Sequence, residues 1–139
     1  MKILVTGSKG FIARNLIKHF KENFIVEIIE FDKKQNLKIL EKLTKGVDFI
    51  FHLAGEARPS RKKEEYEKSN SVLTEKLIEA ILKNEEKIPI AFTSSIHADT
   101  SVNDYGRTKK ESELIIEKYA IDFKIPCFIY KLPHIFGEG

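Results

Sequence analysis

The sequence predicts an α/β protein built on a doubly wound parallel sheet of about five strands, with helices layered on both faces. Two observations carry that expectation. Short apolar runs alternate with amphipathic stretches along the whole chain, the pattern of repeated strand–helix units. Several of those runs, such as KILVT and FIFHLA, are apolar at consecutive positions, which suits strands covered on two sides rather than strands with one wet face. Chain chirality makes the crossovers between such parallel strands right-handed.

The elements follow in order. The first strand is Lys2–Thr6, and the helix after it covers 11–21, with Ile12, Leu16 and Phe20 on one stripe. The second strand is read over 24–31, and a helix over 36–45 carries Leu37, Leu40 and Leu43. The third strand is 47–53, followed by a helix over 64–83 that presents Leu73, Leu77 and Ile81. The fourth strand is 88–93, and a helix over 105–119 turns Leu114, Ile115 and Tyr119 inward. The fifth strand is 126–132. Pro89 and Pro126 stand at strand entries, where a missing N–H costs little.

At 139 residues the chain has the length of one domain, 1–139, with no linker, low-complexity tract or short repeat. Lys plus Arg is 24 against 21 Asp plus Glu, a net charge of +3, which argues against a strongly basic nucleic-acid binder. No apolar run approaches the roughly 18 residues of a membrane span, so no membrane partner is expected, and the N-terminus does not read as a signal peptide. The lone cysteine, Cys127, rules out a disulfide framework and fits a reducing cytoplasm. Four scattered histidines and one cysteine indicate no metal site.

The first strand runs directly into TGSKGFIARNL, which places Gly7, Gly10 and Ala13 at intervals of three. Gly7 permits a tight strand-to-helix turn, and Gly10 lets the backbone approach a pyrophosphate. Ala13 is small enough for close helix–strand packing. The helix start that follows offers N–H groups and a positive dipole end to phosphates. The second strand runs out at Asp32 in EIIEFDKK, a distance that suits an acidic group reaching an adenosine ribose. Lys33 and Lys34 follow it, and Lys9 lies inside the glycine turn. These cations can pair with a 2′-phosphate, which points to NADP(H) over NAD(H); the same lysines also read as solvated surface.

The fourth strand ends in AFTSS, and ten residues after Ser95 comes YGRTK. Tyr105 and Lys109 stand four apart on a predicted helix and share one face. A phenol with its usual pKa near ~10 is a poor acid–base at neutral pH, and lowering it by about three units requires roughly 4 kcal/mol. A neighbouring ammonium favours the phenolate. Ser95 can then hydrogen-bond a substrate oxygen while Tyr105 gives or takes its proton.

With these motifs in place the chain resembles the extended short-chain dehydrogenase/reductases of the NAD(P)-dependent epimerase/dehydratase family, whose cofactor domain is Rossmann-like. The segments carrying the likeness are TGSKGFIA, FHLAG, YEKSN, FTSS, YGRTK and KLPHIFGEG. Within the family it most resembles capsular-polysaccharide nucleotide-sugar 4-ketoreductases, through FHLAGEARP, SSIHAD and KLPHIFG.

The resemblance implies that Gly7, Lys9, Gly10, Phe11 and Ile12 surround the pyrophosphate and that Asp32 and Lys33 meet the adenosine ribose. It implies that Leu53, Ala54, Gly55 and Thr93 lie beside the cofactor. Ser95, Tyr105 and Lys109 take the catalytic positions, the last two also touching the cofactor, and Asn70 matches the asparagine that supports the lysine. Pro133 and His134 fall where the family's backbone meets the nicotinamide. Asn70 also reads as a plain surface amide, His52 as a packed core residue, and His97 as a loop histidine that can face substrate. Arg58, Arg61, Lys62 and Lys63 can meet a substrate diphosphate or form a solvated helix start.

Dehydratases of the family carry an Asp-Glu pair immediately after the catalytic Ser or Thr, where this chain has Ile96 and His97. The resemblance therefore implies a nucleotide-sugar reductase, acting on a UDP-4-keto-6-deoxy-hexosamine, or an epimerase. Family chains continue for more than a hundred residues past FGEG and grip the nucleotide-sugar substrate largely with that part. A non-catalytic dinucleotide-binding or regulatory module is accordingly the alternative. The family's dimer face is built from the helices of Asn70 and Tyr105, so a homodimer or a pair with a full-length relative is expected. A sheet without later strands is expected to leave an edge and apolar surface uncovered.

Overall fold

In the computed structural model, which describes residues 1–58 and 62–137, the chain runs β1 (Lys2–Thr6), α1 (Phe11–Asn23), β2 (Glu27–Phe31), α2 (Leu40–Thr44), β3 (Phe49–His52), α3 (Lys63–Glu67), α4 (Leu73–Lys83), β4 (Ile90–Ser95), α5 (Asp104–Phe123) and β5 (Cys127–Leu132). All five strands are parallel and lie in the order β2-β1-β3-β4-β5. The chain leaves β1 in one direction to β2 and returns past it to β3, so the winding reverses between β1 and β3. At such a reversal the loops at the carboxyl ends of the two strands diverge and open a crevice. The fold is the Rossmann-like α/β architecture that the alternating pattern predicts.

Two cores follow from the period-2 alternation of the strands. Leu4, Ile50, Ile90 and Phe92 point to one side and pack with Leu77 and Ile81 of α4 and Ile116 and Tyr119 of α5. Ile3 and Val5 point to the other side, against Ala13 and Ile17 of α1. Tyr119 pins the start of β4, accepting the Ile88 N–H at 2.9 Å and donating to the Ile88 carbonyl at 3.1 Å.

The structure departs from the expected elements in instructive places. Segment 24–26 is not strand: the Phe24 N–H closes α1 on the Phe20 carbonyl, and Ile25 is fully exposed. The helix expected over 36–45 opens as a 3₁₀ turn, Leu37–Ile39, capped by the Asn36 side chain. The helix expected over 64–83 is interrupted at Lys68–Val72 by a π turn that carries Asn70. In α5, Leu114 lies on the outer side, 54% exposed, because the inward stripe is claimed by Lys109, Ser112 and Glu113. The central residues of α1 are Ala13 and Ile17, with Ile12, Leu16 and Phe20 only partly buried. Two-sided cover also fails at the edge: Phe128 and Tyr130 on β5 are 46% and 54% exposed, since α1 reaches only the β1 half of that face.

Gly7 marks the tightest point of the fold. Its φ is +69°, and a Cβ there would stand 2.6 Å from the Ala54 Cα. Both the left-handed conformation and the overlap penalise a side chain, so Gly7→Ala is expected to cost more than about 2 kcal/mol. Urea unfolding followed by circular dichroism measures this; a variant within about 0.5 kcal/mol of wild type would show that β1 and β3 can part here without penalty.

Candidate active site

Two cavities flank the glycine turn at the β1/β3 crevice. One, of about 870 Å³, is lined by Gly7, Gly10, Phe11, Ile12, Leu53, Gly55, Thr93, Ser95, Tyr105, Lys109, Pro133 and His134. The other, of about 1030 Å³, shares Gly7, Gly10, Phe11, Leu53 and Gly55 and extends to Lys9, Asp32, Lys33 and Ala54. Residues from all five strand ends, spread through the sequence, thus face one continuous groove. The helix α1 begins at its middle, with no side-chain cap on its N-terminus and no acidic residue in its first turn. Its leading N–H groups therefore lack the side-chain partner usual at a helix start.

Lys109 is the most constrained group in the groove. Its Nζ donates to the Thr93 carbonyl at 2.9 Å and lies 4.9 Å from the Phe92 ring centroid. Burial pushes the amine down to about 8, with the Glu113 charge opposing. Gly55 leaves room for the amine: a Cβ there would meet the Lys109 Nζ at 2.7 Å and the Asn70 Oδ1 at 2.9 Å and would displace these side-chain ends. Asn70 itself is 2% exposed, which corrects its reading as a surface amide. Its Oδ1 accepts the Glu56 N–H at 3.0 Å, and its Nδ2 donates to Thr108 Oγ1 at 2.9 Å. The π turn swings it inward to do so; such bulges recur at functional sites.

Behind Asn70 lies a buried chain of hydrogen bonds whose direction can be derived. Thr74 Oγ1 donates to the Asn70 carbonyl at 2.9 Å, which uses its only hydrogen, so at 2.8 Å it accepts from His52 Nε2. Full burial keeps the ring neutral, so the other nitrogen, Nδ1, carries no hydrogen and accepts from Thr6 Oγ1 at 2.7 Å, and Thr6 Oγ1 accepts the Ala54 N–H at 3.3 Å. His52 is accordingly a neutral, satisfied core residue. Burial, and then the Lys109 charge, push it down to about 3.

At the mouth, Ser95 Oγ accepts the His97 N–H at 3.2 Å, so its hydrogen is left for a ligand. The Tyr105 ring lies 6.3 Å from that of Tyr66 and 6.2 Å from His97, and His97 lies 5.9 Å from His134. His97 therefore faces the cavity rather than open solvent. Asp32 accepts the Lys34 N–H at 3.3 Å. Lys9 is bound to Glu30 at 3.0 Å, and that hydrogen bond lowers the Glu30 carboxyl below its ordinary value. An ion pair this exposed holds Lys9 only weakly. Of the proposed diphosphate cluster, Arg58 lines the second cavity, Lys62 and Lys63 stand exposed at the start of α3, and Arg61 lies outside the described residues. Among the described residues no group of acidic, histidine or cysteine side chains could hold a metal ion, and no helix is long and apolar enough to cross a membrane.

Residues 3–139 match the model of the NAD dependent epimerase/dehydratase family. The chain belongs to this family. It is 42% identical over 138 residues to the UDP-2-acetamido-2,6-beta-L-arabino-hexul-4-ose reductase of Pseudomonas aeruginosa, a match covering 99% of this chain and 37% of that protein. Among solved structures, the capsular polysaccharide assembling protein CapF of Staphylococcus aureus superposes with a TM-score of 0.79 at 29% identity, over 99% of this chain and 36% of that one. The UDP-glucuronic acid 4-epimerase of Bacillus cereus, in complex with NAD, shares the fold with a TM-score of 0.85 at 21% identity, over 99% and 58% of the two chains. The chain thus spans little more than a third of the length of the reductase and of CapF.

The residues fit the dinucleotide of an NAD(P)-dependent family. The uncapped start of α1 and the close backbone of Gly7 and Gly10 form a bed for a diphosphate, and one cavity extends from it on each side. Sequence reasoning missed the polar residues that hold this site together: Thr6, Thr74, Thr108, Ser94 and Glu113. The available signal was weak. Thr6 and His52 occupy paired positions on β1 and β3, and Glu113 follows Lys109 by one helical turn.

The neutral state of His52 has a consequence for acid stability. The unfolded side chain protonates near its ordinary value of 6.5 and the folded one near about 3, so between these values the unfolded state binds the extra proton. This contribution to stability is full above pH 6.5 and falls as pH drops toward 3, by up to about 1.4 kcal/mol per unit. His52→Leu is expected to be less stable at pH 7 but to lose stability less steeply in that window. Urea unfolding at several pH values compares the slopes; equal slopes would mean that His52 is not held neutral.

Proposed function

We propose that the protein is an NADP(H)-dependent oxidoreductase that reduces a nucleotide-sugar, most specifically a UDP-4-keto-6-deoxy-hexosamine used in surface-polysaccharide biosynthesis in the cytoplasm. The observation that carries this reading is the convergence of Ser95, Tyr105 and Lys109 on a cavity continuous with the glycine turn. The name of the Pseudomonas relative, a reductase of a UDP-linked hexul-4-ose, supports the substrate class.

When bound along the groove, the cofactor supplies the hydride for the sugar carbonyl. Tyr105 gives its phenolic proton to the keto oxygen as negative charge develops there. Ser95 Oγ–H donates to the same oxygen, oriented by the His97 N–H that its lone pair accepts. The Lys109 ammonium stabilises the phenolate left on Tyr105, and Asn70, locked to Glu56 and Thr108, walls the lysine in. Thr93, Leu53, Ala54, Gly55, Pro133 and His134 line the bed of the cofactor, with Asp32 at the ribose and Lys33 and Lys9 at a 2′-phosphate. Residues 1–139 then form the cofactor-binding domain. Because the chain spans 37% of the Pseudomonas protein, further chain or a partner, in a homodimer or with a longer relative, would complete the grip on the substrate. The alternative is a dinucleotide-binding module without turnover.

Fluorescence titration with NADPH and with NADH tests the cofactor. Saturable binding is expected, tighter for NADPH, and Lys33→Ala should weaken NADPH about tenfold while leaving NADH unchanged. Equal affinities in the wild type would remove the preference, tighter NADH binding would reverse it, and binding of neither would remove the reading. Tyr105→Phe is expected to cut turnover of a supplied keto-sugar nucleotide by at least about 100-fold with cofactor affinity retained. Binding without turnover in the wild type would favour the module.

A further inference from the structure

Glu113 is a carboxylate with 1% of its side chain exposed, one turn beyond Lys109 and two beyond Tyr105 on the same face of α5. A buried carboxylate is costly unless its charge and both oxygens are matched. Here Oε1 accepts from Ser94 Oγ at 2.6 Å. Oε2 accepts from Lys110 Nζ at 3.1 Å and lies 3.7 Å from Lys131 Nζ. Lys131 is the β5 partner of Ser94 in the sheet register and also pairs with Asp99. Ser94 sits between Thr93, whose carbonyl takes the Lys109 ammonium, and Ser95. Glu113 therefore grips β4 at the one residue that separates two points of the proposed reaction site.

We propose that Glu113 is a positioning residue for that site, fixing the end of β4 through Ser94 and supplying the counter-charge to the buried Lys109 ammonium. The inference rests on the functional reading above for its purpose, and on geometry for its content. The groups facing Lys109 are Glu113 on α5, the neutral His52 on β3, the Asn70 amide, and the Phe92 ring and Thr93 carbonyl on β4, while Tyr105, one turn back on α5, lines the same cavity. Glu113 is the anion among them. Those facing Glu113 are Lys110 on its own helix, Lys131 on β5 with Asp99 behind it, and Ser94 on β4. Removing the Glu113 charge leaves three ammonium groups, Lys109, Lys110 and Lys131, around one site with only Asp99 opposing.

The test is the titration of Lys109, followed by NMR in protein labelled with ¹³C at the lysine Cε carbons and assigned by the signal missing from Lys109→Met. Glu113→Gln keeps the shape and a carbonyl oxygen for Ser94, and is expected to lower the midpoint by about one unit. Glu113→Asp, which keeps the charge, should return most of the shift. Lys131→Met, at the exposed rim, unburdens Glu113 and should move the midpoint upward even if Glu113→Gln does not fold. A folded Glu113→Gln with an unmoved midpoint, or a Lys131→Met midpoint that stays or falls, overturns the proposal. In the loaded enzyme the alkaline limb of kcat/KM should move down with the lysine in Glu113→Gln. The NMR titration needs no turnover, so a protein that reduces no keto-sugar defeats the functional reading while this result stands separately.

Discussion

Burying the ammonium of Lys109 imposes conditions on every element that meets the carboxyl end of the sheet. The charge must be answered, and the answers come from the Thr93 carbonyl on β4, the Phe92 ring beneath it and the Glu113 carboxylate one helical turn away. The space must be cleared, and position 55, at the end of β3, leaves that room by having no side chain. The neighbouring imidazole of His52 stays neutral because it is buried beside the charge, and two threonine hydroxyls fix its tautomer. These conditions fall on β3, β4 and α5, so the amine ties the end of the sheet to the helix that covers it.

The helices are shaped by the same demand. An ordinary helix over a parallel sheet turns an apolar stripe inward. The first half of α5 instead buries Thr108, Lys109, Ser112 and Glu113, and its apolar anchors, Ile116 and Tyr119, come only afterwards. The π turn ahead of α4 has a similar cause. An unbroken helix would change the angle at which Asn70 meets the loop after β3; the extra residue lets its amide reach Glu56 and Thr108 while its carbonyl takes the Thr74 hydroxyl. Polar groups this deep are costly when half-satisfied, and those named here are satisfied.

On the other side of the crevice the constraint is backbone proximity rather than charge. Gly7 and Ala54 approach so closely that the turn after β1 and the end of β3 share one surface. The uncapped start of α1 points into the space they bound. The two halves are joined by the Ala54–Thr6–His52–Thr74–Asn70 chain, which passes from the glycine turn to the asparagine without a break.

Much of this was legible in the sequence because it is local. Alternation of apolar runs and amphipathic stretches dictates strand and helix, and five such runs make five strands. A glycine at the strand-to-helix turn and a tyrosine four residues before a lysine are spacings within one element, set by fixed helical and strand periods. What only the tertiary structure decided was the meaning of the polar residues. Ser94, Glu113, Thr6 and Thr74 look like surface residues in a linear reading, and Leu114 looks like core, because the sequence does not reveal which side of α5 meets the sheet. Burial is a property of three-dimensional neighbours. A carboxylate 19 residues from its serine and a histidine 46 from its threonine become partners only once α5 packs on the sheet and β1 and β3 lie side by side.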